Sequence, residues 1–350
     1  MKLKILIISL IFSVFAVQVQ AQTETKTFRG FLNGKRIQMT LTRDGGKLSG
    51  TYLYTKYRTD LMLDGTIDKN GKFILVESDQ KGVKTGEFSG TWKEDANNNG
   101  VSLEGDWKKP KSADSIGFIA NEQMIDFKNG AKLITKTFSE TNKLKRFDMS
   151  AEYPEISDID AQTAAKFNQL VKAEVMKALA EFKKTMTAQT AEDLKYLPKG
   201  VNNYIDISYN VELANDKIIS LQFGDSEYGG GAHPNYSTST LNFDLQNGRE
   251  LKLADLFQPK SNYLKVISDY SIAELKKATG EMSDDNWIKE GAGAKAENFQ
   301  SWNLTKKGLM FTFDPYQVAA YAAGSFSVIV PYDNLKTYLN PTKTDLFTQK

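Results

Sequence analysis

Four glycine-led triplets, Gly50-Thr51-Tyr52, Gly65-Thr66-Ile67, Gly90-Thr91-Trp92 and Gly105-Asp106-Trp107, dictate the fold of the first third of this chain. Each sets a glycine, a polar residue and an apolar residue in a row, at spacings of 15, 25 and 15 residues. Turn signals fall between them at Asp44-Gly45-Gly46, Lys69-Asn70-Gly71 and Asn98-Asn99-Gly100, and no run from 27 to 109 has the period of a long helix. Short alternating strands punctuated by glycine turns make an antiparallel meander or small up-and-down barrel. Its inner face is predicted to hold Tyr52, Leu63, Leu75, Phe88, Trp92, Leu103 and Trp107 as packing. Residues 108–114, with Pro110, read as a linker, so the all-β module covers residues 22–109.

The chain then changes character. From near Ile116 it mixes helices and strands in blocks, which predicts α+β architecture over residues 115–345, with antiparallel hairpins and two main helices. Asp160 is placed to cap a helix running to about Lys184, with Phe167, Leu170, Val171, Val175, Ala178, Leu179 and Phe182 as its apolar stripe. Ile205 to Leu213 and Ile219 to Phe223 alternate as two strands around an Asn215-Asp216 turn. A second helix spans 261–278 and stops at Gly280; strands around Phe311 and Val328 and a short helix close the domain.

Residues 1–21 decide the compartment. Lys2 and Lys4 precede an apolar run over 5–17, and Val19-Gln20-Ala21 supplies small residues for cleavage, the plan of a secretory signal peptide. The expectation is a periplasmic or secreted protein with no integral membrane segment after cleavage. The chain has no cysteine, which excludes a lipoprotein anchor, disulfides, thiol nucleophiles and thiolate metal sites. Of 45 basic residues two are Lys2 and Lys4, leaving 43 against 43 acidic ones. That balance argues against a nucleic-acid partner.

Chemistry concentrates in residues 227–257, which hold the only histidine of 350 residues. Gly229, Gly230 and Gly231 form a permissive corner, Pro234 fixes the exit direction of His233, and Tyr236, Thr238, Thr240 and Asn242 alternate as a strand. Asn247-Gly248 predicts a type I′ turn. His233 is the one candidate general base, with Asp225 or Glu227 as a carboxylate partner, yet no nucleophile elbow surrounds Ser226, Ser237 or Ser239. An imidazole that locks the corner through a carbonyl accounts for it better than catalysis. Asp95, Asn97, Asn99, Gly100 and Asp106 match calcium-loop positions, but strands flank them where that motif needs helices, so a polar hairpin turn is favoured. No metal or other cofactor is predicted.

Gly230-Gly231-Ala232-His233 with Phe243-Asp244-Leu245, then Phe313-Asp314-Pro315-Tyr316, Tyr321 and Val330-Pro331-Tyr332, resemble the C-terminal domain-of-unknown-function family shared by RsiV-type anti-sigma factors and PdaC-type peptidoglycan deacetylases. Tyr153-Pro154 and the helix after it look like the domain that usually precedes it. The resemblance covers about residues 131–339 and leaves out the β module. It implies an extracytoplasmic domain, which in the anti-sigma factor recognises lysozyme. It implies no catalysis here, because the deacetylases keep theirs in a separate metal-binding domain that needs several histidines. The expectation is a chain without the transmembrane and deacetylase parts of those relatives.

A recognition surface is what remains. Tyr228, Gly230, Gly231, His233, Tyr236, Tyr316 and Tyr321 are the candidate binding residues, since tyrosine offers rigid contact area with a polar tip. The expected function is an exported, non-catalytic envelope protein that binds a lysozyme-like hydrolase or a peptidoglycan-derived glycan. The alternative is an envelope hydrolase working through His233 and a nearby carboxylate.

Overall fold

The computed structural model describes residues 23–94 and 99–343. The expected signal segment lies outside them, as do Asp95 and Asn97. Eight antiparallel strands, β1 (Glu24–Leu32), β2 (Lys35–Asp44), β3 (Lys47–Tyr54), β4 (Leu61–Ile67), β5 (Lys72–Ser78), β6 (Lys84–Glu94), β7 (Val101–Lys108) and β8 (Ser115–Glu122), close into a barrel in chain order, β8 pairing back onto β1. The expected boundary at residue 109 is therefore too early, and 109–114 is a hairpin connection and not a linker. Without β8 the flanking strands β1 and β7 would present two open edges, which closure removes.

The repeated glycines are explained by this closure. A Cβ on Gly50 or Gly65 would sit 1.9 Å from the carbonyl oxygen of Thr40 or Ile74 on the adjacent strand. Only a residue without Cβ lets strands coil that tightly in a small barrel. Tyr52, Leu63, Leu75, Phe88, Trp92 and Leu103 fill the interior as expected, with Trp107 partly buried at one end. There the buried Glu77 carboxylate accepts hydrogen bonds from the Tyr52 hydroxyl (2.5 Å), the Thr85 hydroxyl (2.6 Å) and the Trp107 indole (2.7 Å). Three neutral donors satisfy it.

The second region is built on a mixed sheet ordered β10 (Lys132–Asn142), β11 (Phe147–Ser157), β12 (Asn203–Asn215), β13 (Ile218–Tyr228), β14 (Asn235–Asp244) and β15 (Arg249–Glu250), with β9 (Ile125–Asp126) added beside β12. Pairing is antiparallel except at β11–β12 and β9–β12. The β11–β12 pair is parallel because α1 (Ala161–Ala188) carries the chain back across the sheet between them. Asp160 caps α1 by accepting from the Thr163 amide, and Phe167, Val171, Val175, Leu179 and Phe182 are buried against the sheet. Met186 extends that stripe, so the helix runs four residues past the expected end at Lys184.

A second layer follows: α2 (Tyr263–Thr279), α3 (Asp285–Gly291), a three-stranded sheet of β16 (Trp302–Leu304), β17 (Gly308–Phe313) and β18 (Phe326–Pro331), and α4 (Tyr332–Leu335). Buried polar groups lock it to the main sheet, the Ser220 hydroxyl donating to Asn242 Oδ1 (2.7 Å) and accepting from Asn303 Nδ2 (2.9 Å). The β14–β15 turn is not type I′. Gly248 adopts positive φ (+59°) but Asn247 does not, and the Asp244 carboxylate accepts from the amides of Gln246 and Asn247 in a longer loop.

Candidate functional site

The glycine corner joins β13 to β14, and of its three glycines only Gly230 takes positive φ (+95°). Gly231 and His233 are exposed on the loop that follows. The Pro234 carbonyl accepts a hydrogen bond from the Tyr321 hydroxyl and lies 2.9 Å from His233 Nδ1. A carbonyl only accepts, so Nδ1 carries the proton and Nε2 is left as the acceptor. The His233 ring stacks on Tyr321 with centroids 3.9 Å apart and an interplanar angle of 25°.

Tyr321 is the hub of an aromatic platform. Tyr316 lies 5.6 Å and Tyr236 6.4 Å from it, centroid to centroid. Both outer rings are more than half exposed, Tyr236 at 52% and Tyr316 at 58%. Tyr316 is held at φ +70°, a conformation disfavoured for a bulky side chain, while its carbonyl accepts from the Trp287 indole (3.0 Å). Partial burial and the neighbouring Tyr236, Tyr316 and Tyr204 raise the Tyr321 hydroxyl above its ordinary value, so it stays a donor at neutral pH. Tyr228 joins through a stack on Tyr204 (6.0 Å, 28°). The fold thus gathers all the predicted binding side chains at one end of β13 and β14.

Carboxylates lie near the same end of β13 but do not pair with His233. Ile219, Leu221 and Phe223 face α1, so the strand's two-residue period puts Asp225 and Glu227 on that same face and Tyr228 on the other. Asp225 shares a small crevice with Glu174 of α1. Burial, then the charges of Glu174, Glu227 and Asp314, push its carboxyl up to about 6. Desolvation raises Glu227 as well. Asp314 Oδ2 accepts from the Thr238 amide (2.9 Å), and its buried Oδ1 has no partner.

Sequence reasoning missed Glu174 and Tyr204. A bulge between Val211 and Leu213 shifts the β12–β13 register, and counting back from the turn without it does not bring Tyr204 opposite Tyr228. The described calcium-loop side chains do not converge: Asn99 donates to the backbone oxygen (2.5 Å) and carboxylate (2.9 Å) of Glu212, and Asp106 accepts from Ser115 in the barrel wall. Among the described residues no three metal-ligating side chains cluster.

Residues 139–236 match the family model described as deacetylase PdaC, and residues 254–333 match the protein of unknown function DUF3298. The C-terminal region is therefore similar to DUF3298 and PdaC-type domains. The chain is 27% identical over 204 residues to the peptidoglycan-N-acetylmuramic acid deacetylase PdaC of Bacillus subtilis, covering 58% of this chain and 41% of that one. It is 28% identical over 110 residues to the immunogenic protein MPT64 of Mycobacterium tuberculosis, covering 31% and 47%. It therefore spans less than half the length of these curated relatives. Solved DUF3298-family structures from Bacteroides fragilis (TM-score 0.43, 22% identity, 61% of this chain and 94% of that one) and Pseudomonas aeruginosa (0.44, 15%, 63% and 97%) are also similar. The platform draws on both matched segments, Tyr228 and Tyr236 from the first and Tyr316 and Tyr321 from the second. The barrel lies outside both. Among the described residues no helix is long and apolar enough to cross a membrane.

Proposed function

We propose that this is an exported, non-catalytic protein of the bacterial envelope whose platform binds a peptidoglycan-derived glycan. The observation that carries this reading is the stack of Tyr316, Tyr321, His233 and Tyr236, with its two outer rings exposed. Aromatic faces pack on the apolar faces of sugars. The name of the Bacillus relative, a peptidoglycan deacetylase, points to the same polymer. Catalysis through His233 is disfavoured because the nearby carboxylates Asp225 and Glu227 face the other side of the sheet and cannot pair with it. A lysozyme-like hydrolase is the second reading, favoured by the carboxylates Glu174, Asp225 and Glu227 gathered on the α1 side of the sheet, which complement a basic protein face.

The test is co-sedimentation with purified peptidoglycan, alongside capture on immobilised lysozyme. Retention on peptidoglycan, reduced about tenfold by Tyr316→Ala or Tyr236→Ala, supports the glycan, each exposed ring supplying about 1–2 kcal/mol. Retention on lysozyme alone supports the second reading. Retention on neither, with native circular dichroism, refutes both.

A further inference from the structure

A cavity of about 240 Å³ lies between the barrel and the sheet, well away from the tyrosine platform. Its walls carry two arginines, Arg29 of β1 and Arg58 beyond β3, and no carboxylate. Arg29 is only 7% exposed. Its guanidinium lies 4.1 Å over the Tyr209 ring, Nη1 donates to the Thr135 hydroxyl (3.0 Å) and Nη2 to Glu152, but the buried Nε has no partner. A buried N–H left unpaired is costly unless something occupies the space beside it.

Arg58 adds the charge. It is held at φ +53° and donates one N–H to the Thr135 carbonyl (3.0 Å), and no described carboxylate pairs with it. Arg29, by contrast, is neutralised by Glu152. One positive charge is therefore uncompensated at the wall. The buried Thr55 and the half-buried Gln38 bring a hydroxyl and a carboxamide to the same space. The mouth is apolar: Ile125 and Ile134 are 42% and 45% exposed there, large for aliphatic side chains on a folded surface.

We propose that this cleft binds a small monocarboxylate with a short apolar body, either a free organic acid or the carboxyl end of a peptide. A guanidinium fork matches a carboxylate in geometry and charge, and the isoleucine rim takes the hydrocarbon. The volume equals about eight water molecules at roughly 30 Å³ each, room for a ligand of similar heavy-atom count. An inorganic oxyanion would leave the apolar rim unused. This site is separate from the platform, so its failure leaves the proposed function untouched.

The test is calorimetric titration of the whole protein with hexanoate, hexanamide, inorganic phosphate, and N-acetyl-alanyl-alanine with its C-terminal amide. Hexanoate is expected to bind with a Kd of about 1 mM, as ligand efficiency allows for so small a molecule. Hexanamide and phosphate should bind at least about tenfold more weakly, and Arg58→Gln should weaken hexanoate about tenfold, the loss of one charge-assisted contact. Arg58 is exposed, so its substitution leaves the fold intact; Ile134→Asp, at the mouth, should act in the same direction. Binding of the dipeptide acid but not its amide identifies peptide ends, and binding of hexanoate alone identifies free acids. No binding of either acid, equal binding of hexanamide or phosphate, or an unchanged Kd in Arg58→Gln overturns the proposal.

Discussion

Replacing Asp225 with asparagine should stabilise the protein, and only above a defined pH. The carboxyl ordinarily titrates near about 3.9 and is pushed up to about 6 in the fold, first by burial and then by Glu174, Glu227 and Asp314. That displacement corresponds to about 3 kcal/mol of extra cost for the charged form. The side chain is only half-buried, so screening reduces this to about 1–2 kcal/mol. Because the folded state holds this proton more tightly, it binds more protons than the unfolded chain between about pH 4 and 6, and stability falls as pH rises through that window. Asparagine has nearly the same shape and no charge. Thermal melts of wild type and Asp225→Asn should coincide at about pH 4 and separate above about pH 6, the variant melting roughly 1.5–3 °C higher. Parallel curves over the whole range, or a less stable variant at neutral pH, would show that the carboxylates do not repel one another.

Three further outcomes follow from the packing. Gly65→Ala should cost more than about 2 kcal/mol in urea denaturation, because the new methyl meets the Ile74 carbonyl at 1.9 Å; Gly117→Ala, with open space, should stay within about 0.5 kcal/mol. Glu152→Gln should destabilise by about 3–5 kcal/mol, since it strips a buried carboxylate from Arg29 and Arg36, and a loss below about 1 kcal/mol would mean the pair is solvated. Tyr321→Phe removes the hydroxyl that holds the Pro234 carbonyl and should cost about 1 kcal/mol while keeping the ring stack; loss of peptidoglycan retention in this variant would assign the hydroxyl itself to binding.

The barrel was legible because period-two alternation and glycine turns are local signals, and Tyr52, Phe88 and Leu103 could be placed inside without knowing which strand met which. Its end was not, since Pro110 and its charged neighbours look the same in a hairpin connection as in a linker, and only β1–β8 pairing distinguishes them. The platform was half legible. Tyr228, His233 and Tyr236 adjoin a glycine corner, whereas their meeting with Tyr316 and Tyr321 depends on a long-range return of the chain. Here the family motifs supplied what periodicity does not. Tyr204 and Glu174 carried no local mark, one displaced by a bulge and the other an ordinary charge on a helix. The arginine-lined cleft was invisible for a related reason: Arg29 and Tyr209 are 180 positions apart in sequence, and neither sits in a motif.

That cleft also bears on why the barrel is present at all. Strand β12 pairs with β11 only as far as Ala151 opposite Ile207, after which the two strands diverge and the outer edge of β12 would be bare. Barrel residues and the segment leaving the barrel cover it. Arg36 donates to the Ile207 carbonyl (2.5 Å), Gln123 Oε1 accepts from the Val211 amide (2.9 Å), and Met124 exchanges backbone bonds with Val211 (2.9 Å) and Ala214 (2.8 Å). An exposed run of unpaired strand groups is both unstable and prone to pairing with other chains. The barrel therefore acts as a fitted cap on the sheet and not as a tethered appendage, held by the buried Arg29–Glu152 pair and by Arg36 on Asp206 (2.8 Å). Since the cavity walls come from both sides of this seam, a ligand seated there would bind only the docked arrangement and would stabilise it by mass action.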